Sequence, residues 1–445
     1  MSEELARDIV RTLRDAGREA YFVGGCVRDR LLGREPKDYD VATAAPSDEV
    51  RALFPDGHAV GASFGVILVR RDEAEVEVAT FRQDLGYHDG RRPDRVVFTP
   101  SAEEDAQRRD FTVNGLFYDP VEDRVVDYVS GRADLEARLL RAVGDPEVRF
   151  AEDKLRMLRA VRFAAHLSFE IEPDTKSAIR RNAPKIHEIS TERVRDEINC
   201  ILTEGGARRG FELLEETGLL QAILPEVAAL RGVEQSPEHH PEGDVWTHTL
   251  LMLEGLEAGC SKTLAMGVLL HDIGKPGTFQ RAADRIRFHG HVELGIEIAG
   301  RICRRLRYSN AESEQIQALV ANHMKFMHLT QMRPGKLKRF LRAERFEEHL
   351  ELHRLDCASS HGKLDNWRFA RDRIAELGSE ELRPPPLLTG DDLIKEGLKP
   401  SPLFSELLEE IEEAQLDGKI TSREEACAWL RRRQAHQRAE SAQRP

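Results

Sequence analysis

The chain has 445 residues, 40% of them hydrophobic, which is too long for one core and fits two to four globular domains. A formal net charge of −13 excludes indiscriminate whole-surface attraction to nucleic acid but leaves room for a local basic face. Six scattered cysteines with no C-x-x-C pair exclude a zinc ribbon or a disulfide framework and fit a reducing, cytoplasmic setting. The opening MSEELARDIVRTLRDAG reads as a charged amphipathic helix rather than a signal peptide, and no apolar run approaches the roughly 20 residues of a membrane span. Short strand-like runs follow (AYFVGG, GVILVRR, EVEVATF, RVVFT, RVVDYV), separated by turns. From about residue 138 the strand signals vanish and helical patterns take over, as in EDKLRMLRAVRFAAHL, STERVRDEINCILT and ARRGFELLEETGLL. A loop at 233–244 and a Pro-rich stretch at 377–392 punctuate the remainder. The expected class is α+β: a small mixed-sheet head with helices (1–137), an all-α neck (138–230), a second all-α domain (231–380) and a helical tail (381–445).

Within the head, VGGCVRDRLLGREPKDYDVAT sets Asp38 and Asp40 one residue apart after a glycine pair. On a strand, side chains at i and i+2 share a face, so the two carboxylates are expected side by side. Neighbouring acids repel unless a cation lies between them, and hard divalent ions such as Mg²⁺ take oxygen ligands of this kind. Gly24 and Gly25 allow backbone N–H groups to approach phosphate, with Lys37 nearby, which together suggests a triphosphate site. Residues 138–165 carry seven Lys or Arg against four acids, making the neck the expected track for an RNA backbone.

In the third segment, DVWTHTLLML, GVLLHDIGKP, RFHGHVELG, VANHMKF and LHRLDCASS place His and Asp at intervals along expected helices. An His-Asp dipeptide after an apolar run sets two hard-to-bury groups at a helix end, where a metal would compensate them.

The stretch GGCVRDRLLGREPKDYD resembles the signature of the class II tRNA nucleotidyltransferase and bacterial poly(A) polymerase family. EVEVATFR, QRRDFTVNGLFYD, DYVSGRADL and EDKLRMLRAVRF resemble the family's later motifs in order and spacing, over roughly residues 20–225. The resemblance implies template-independent transfer of a nucleotide to an RNA 3′ hydroxyl, with Asp38 and Asp40 holding Mg²⁺ and Glu77 a candidate third acid. Gly25, Arg28, Arg108 and Arg109 become candidate phosphate contacts, and Asp110 a candidate ribose contact. Glu152, Asp153 and Arg156, on one helical face, match a base edge with an exocyclic amine beside a ring acceptor. Cytosine and adenine present that edge; uracil and guanine do not. Arg159 and Arg162 follow at helical spacing, toward the triphosphate or the RNA.

YHDGRRPDR resembles the flexible loop with which CCA-adding enzymes switch from C to A addition, and the chain lacks the longer insertion and very basic C-terminus of poly(A) polymerases. Completion of the tRNA CCA end from CTP and ATP is therefore favoured, with polyadenylation next and A-only addition third. The third segment resembles the HD metal-dependent phosphohydrolases, which implies ligands at His248, His271, Asp272 and Asp356 for a divalent transition metal or Mg²⁺. His291 and His323 are candidates for a second ion, with Lys275 near the phosphate. An HD phosphohydrolase whose degenerate head merely binds RNA is the alternative of another class. LLTGDDLIKEG and the segment after it resemble the family's tRNA-supporting tail.

Overall fold

Helix α1 (Ser2–Asp15) buries Leu5, Ile9 and Leu13 on one face, with Ala6 and Val10 beside them, and lies on the head's sheet. The computed structural model describes residues 2–61, 65–86, 95–238, 240–382, 384–401 and 403–442. Strand β1 (Ala20–Val23) ends at Gly24, whose φ of 76° turns the chain into helix α2 (Gly25–Leu31). Only glycine adopts that backbone without strain. Strand β2 (Asp40–Thr43) runs antiparallel to β1 with Val23 opposite Asp40, and is followed by helix α3 (Ser47–Leu53). Strands β3 (His58–Gly61), β4 (Val66–Arg71) and β5 (Ala74–Thr80) continue the sheet, β5 parallel to β2 with Glu77 level with Asp40.

Strands β6 (Arg82–Leu85) and β7 (Arg95–Phe98) form a separate antiparallel pair before helix α4 (Ala102–Gln107). Strands β8 (Leu116–Asp119) and β9 (Arg124–Asp127) complete a mixed seven-stranded sheet of order β3-β4-β5-β2-β1-β8-β9. Its aromatic core joins Tyr21, Phe81 and Phe117, with ring centroids 5.9–6.4 Å apart.

After helix α5 (Gly131–Glu136) and strand β10 (Leu139–Leu140), helices α6 (Pro146–Glu152) and α7 (Leu155–Leu167) enter the neck. Strand β11 (Glu170–Ile171), helix α8 (Pro173–Asn182), helix α9 (Thr191–Thr203) and helix α10 (Ala207–Glu216) follow. Helix α7 packs on α9 and α10 and buries Ala160, Ala164 and Ala165.

Three expectations are corrected. Asp38 does not share a strand with Asp40: it lies in the lead-in, because the antiparallel partner β1 ends opposite Asp40 and turns away at Gly24, which leaves Asp38 without a partner on that side. The helix expected over 152–163 is broken, since Asp153 sits in extended backbone (φ −145°, ψ 107°) and accepts the Leu155 N–H at 3.0 Å, ending α6 and starting α7. The segment beyond 138 is not purely helical: β10 and β11 pair in parallel, and Gln280–Arg281 pairs with Ile286–Arg287. Strands β3, β6 and β8, too short or too polar to show a period, were absent from the runs read in sequence, and β2 was anticipated only through its acid pair.

The chain divides into two compact units. One gathers the residues up to Gly232 with Leu253–Met266 and Gly300–Asn310; the other holds Val233–Met252, Gly267–Ala299 and the chain from Ala311 onward. No described helix is long and apolar enough to cross a membrane.

Candidate active site

In the first unit a cleft of about 510 Å³ is lined by Gly24, Gly25 and Arg28 on one side, Asp38 and Asp40 beside them, and Arg108, Arg109 and Asp110 beyond. From the neck, Asp153, Arg156 and Arg159 face the same space. Burial, then the neighbouring charges of Asp38 and Glu77, push the Asp40 carboxyl up to about 6 against the pull of Arg109. That is the electrostatic state of an acid group built for a cation, and all-oxygen donors suit a hard divalent ion.

The arginine wall is held from behind. Asp105, almost fully buried at the back of α4, accepts Arg108 at 2.7 Å and Arg109 at 3.0 Å. Burial works to raise its carboxyl, but the two guanidiniums win and keep it below the ordinary range. Arg28 donates to Asn114 at 2.8 Å. Asp110 accepts from Arg159 at 2.9 Å and from Asn114 at 3.2 Å, and these partners outweigh burial to hold its carboxyl low.

The base-reading candidates are less uniform than the motif suggests. Asp153 lines the cleft, its carboxylate gripped by Arg193 of α9 at 2.7 and 3.2 Å. Arg156 is fixed by Glu152 at 2.5 Å and by the carbonyls of Arg149 and Arg108 at 3.2 and 3.3 Å. Glu152 itself lies outside the cleft, between Arg149 and Arg156. Arg162 also does not line it; its guanidinium stands 3.1 Å from Glu197. Glu77 is exposed at the level of Asp40.

Sequence reasoning missed Arg193, Asp105, Asn114 and Phe163, whose ring is flanked by Arg28, Arg159 and Arg162 at 4.7–5.3 Å. Phe163 stood inside a quoted motif; Arg193 sat in an ordinary charged helix with nothing to mark it. The loop YHDGRRPDR falls outside the described residues except for Arg95.

In the second unit, six groups converge from five segments. His248 lies in helix Val245–Glu254, and His271 and Asp272 follow helix Lys262–Leu270. His291 opens helix His291–Arg305, His323 begins a 3₁₀ stretch, and Asp356 lies in helix Phe346–Ser359. Each imidazole commits its Nδ1: His248 to Glu242 at 2.7 Å, and His271, His291 and His323 to the carbonyls of Val268, Phe288 and Val320 at 2.7–2.9 Å. All four Nε2 atoms are left facing carboxylates, His248 toward Asp356 at 3.2 Å and His271, His323 and His291 toward Asp272 at 3.0, 3.7 and 3.9 Å.

The buried Nε2 atoms of His248 and His271 find no hydrogen bond of good geometry there. Orphaned imidazole nitrogens beside two carboxylates are the donor set of a borderline divalent metal. Burial works against ionising Asp272, but His271 and Lys275 hold it well below its ordinary range. Lys275 Nζ lies 2.6 Å from Asp272. Gly274 matters here, since a Cβ on it would fall 2.1 Å from the His291 carbonyl; its absence lets the His-Asp turn sit against the start of the next helix. Asp365 heads a different helix with its side chain 83% exposed, so Asp356 is the acid in the cluster. Glu242 and His240 were read in sequence only as part of a separating loop.

The mixed-sheet head, with its acid pair facing an arginine-lined cleft, defines a nucleotidyltransferase. Residues 20–141 match the Poly A polymerase head domain, 168–230 the "Probable RNA and SrmB- binding site of polymerase A" and 245–356 the HD domain. A Lactobacillus johnsonii CCA-adding enzyme is 39% identical over 257 residues, 56% of this chain and 63% of that one, so the match spans under two thirds of that relative. A Lactobacillus delbrueckii subsp. bulgaricus CCA-adding enzyme is 34% identical over 95% of this chain and 96% of its own. The Bacillus stearothermophilus CCA-adding enzyme in complex with CTP superposes with a TM-score of 0.74 at 29% identity, covering 98% of each chain. The chain belongs to the CCA-adding enzyme family.

Proposed function

We propose that the protein adds or repairs the 3′-terminal CCA of tRNA, taking CTP and ATP in turn without a nucleic-acid template, and acts in the cytoplasm. The observation that carries this reading is the convergence, in one cleft, of the Asp38 and Asp40 acids, the Arg108 and Arg109 wall, and the Asp153 and Arg156 pair. Magnesium held by Asp38 and Asp40, with Glu77 as a further carboxylate, would polarise the phosphate oxygens and neutralise charge on the departing pyrophosphate. Arg28, Arg108 and Arg109 grip the triphosphate, and Gly24 and Gly25 let it approach the backbone. The RNA 3′ hydroxyl displaces pyrophosphate at the α-phosphorus, with no protein nucleophile.

Selectivity comes from rigidity. Asp153, held by Arg193, accepts the exocyclic amine of cytosine or adenine, while Arg156 donates to the adjacent ring nitrogen. Uracil and guanine offer a carbonyl and an N–H there and leave both groups unpaired, a rejection that removal of the partner makes costly. Glu152 acts through Arg156. The test gives the purified enzyme tRNA lacking zero, one, two or three terminal nucleotides, with each NTP separately, and sequences the products. Addition of C, C and A in order is expected; an untemplated run of A would replace this reading with polyadenylation.

A second activity is favoured by the orientation of the imidazoles in the other unit. We infer a metal-dependent phosphohydrolase acting on phosphorylated RNA 3′ ends, with His248, His271, Asp272 and Asp356 as ligands and His291 and His323 toward a second ion. A metal there would supply a nucleophilic water at neutral pH. Lys275 neutralises the phosphate, and a trimmed end exposes the hydroxyl that the head extends. Hydrolysis of a 2′,3′-cyclic nucleotide by the metal-loaded protein, lost on Asp272→Ala, tests it.

A further inference from the structure

Between Met324 and Arg345 the chain carries seven lysines and arginines against the single acid Glu344, in a protein of net charge −13. Neither the nucleotide cleft nor the histidine cluster uses them. The 3₁₀ stretch His323–Gln331, helix Pro334–Leu341 and helix Leu403–Leu416 enclose a groove of about 390 Å³. Lys325, Lys336 and Arg339 supply its charge, and Met332, Phe340 and Ala343 give it an apolar wall.

The cations of this groove are treated in two ways. Arg339 is tied to the Glu409 carbonyl at 3.0 Å, and the neighbouring Arg342 to Glu412 at 2.6 Å. Lys325 and Lys336 have no carboxylate partner among the described residues, although Glu413 also lines the groove. Lys325 is exposed at the rim of the groove, its ammonium 5.9 Å from the centre of the Phe340 ring, and partial desolvation and then the charge of Lys336 press it toward losing its proton. Two crowded, unpaired ammoniums in an acidic protein make an anion site. The first turn of the adjoining helix is not the attraction, since the Gly335 N–H is already given to Asp417 at 2.8 Å. The apolar wall beside the charges fits a sugar or base face, which a free inorganic anion lacks.

We propose that this groove binds the sugar–phosphate backbone of the RNA substrate, Lys325 and Lys336 each meeting a phosphate while Met332 and Phe340 lie against a ribose or base. The proposal rests on tRNA being the substrate. The full-length enzyme is titrated with tRNA lacking its terminal nucleotides, across a salt series, as wild type, as Lys325→Gln/Lys336→Gln and as Lys325→Arg/Lys336→Arg. The glutamine pair is expected to weaken binding about tenfold and to flatten the log–log salt slope by about 1.5, the loss of two phosphate contacts. The arginine pair keeps both near wild type, and kcat at saturating tRNA and KM for CTP do not move in either. An unchanged affinity and slope in the glutamine pair, beside a wild type that extends tRNA, overturns the groove assignment and turns the patch over to an acidic protein partner. A wild type that neither binds nor extends tRNA sinks the substrate reading, and the groove's ligand with it.

Discussion

The two candidate metal sites of this molecule solve the same problem in opposite ways. In the head, hard oxygen donors stand at the start of the central strand β2 and in the segment leading into it, facing the cleft, and their mutual repulsion is left in place: Asp40 is pushed up to about 6 by burial, Asp38 and Glu77. In the second unit, His248, His271, Asp272 and His323 are buried, with His291 and Asp356 partly so, and each imidazole is aimed by a hydrogen bond at its far nitrogen. The first arrangement suits an ion that arrives and leaves with a nucleoside triphosphate. The second suits an ion that stays.

This contrast is broken most directly at Asp40. Asp40→Asn should lower CTP and ATP incorporation at least about 10³-fold while leaving cyclic-nucleotide hydrolysis intact, because the head's acids have no substitute; equal loss of both activities would contradict separate sites. The converse variant, Asp272→Ala, should abolish tight metal retention, read by metal analysis of the dialysed protein, and spare CCA addition. A smaller effect probes the aiming bond: Glu242→Ala should weaken metal affinity in the histidine cluster by about 10–100-fold, with Glu242→Gln intermediate, measured by chelator competition. No comparable sensitivity is expected behind the head's acids.

The smallest prediction concerns pH. His349 is buried near the second unit's Phe346, and burial foremost pushes its imidazole down to about 4, with Lys325 adding to this and Glu348 opposing. A depressed histidine favours the neutral form in the fold, so its share of stability is complete above about pH 6.5 and drains away as pH falls toward 4. The loss saturates near about 3 kcal/mol. Thermal unfolding of His349→Phe across this range should flatten relative to wild type; parallel curves would remove His349 as the cause.

Chain order and grouping were legible where motifs carry their own spacing: the glycine pair, the acid pair and the arginine pair come to line one cleft, and the His-Asp dipeptide joins the histidine cluster. What was not legible depends on backbone events that side-chain periodicity hides. The pattern from Glu152 to Phe163 reads as an unbroken helix because its apolar spacing persists across the break, and only the capping by Asp153 interrupts it. Asp38 lies outside its expected strand because the antiparallel neighbour on one side, β1, ends opposite Asp40 at the glycine turn. Arg193 was invisible because it acts on Asp153, brought near only by folding, from a helix of ordinary charged composition, and Glu242 because its loop composition read as a separator although His248 lies only six residues on.

The contact of Asp110 with Arg159 joins the head's arginine motif to helix α7, which also carries Arg156 of the proposed base reader. On the proposed reading, one carboxylate therefore belongs to two tasks at once, the choice of monomer and the hold on it. A lineage drifting toward another nucleotide preference cannot retune the reader by loosening this helix without also disturbing the wall that faces the triphosphate, so changes of taste should arise at Asp153 and Arg156 themselves rather than in the frame behind them.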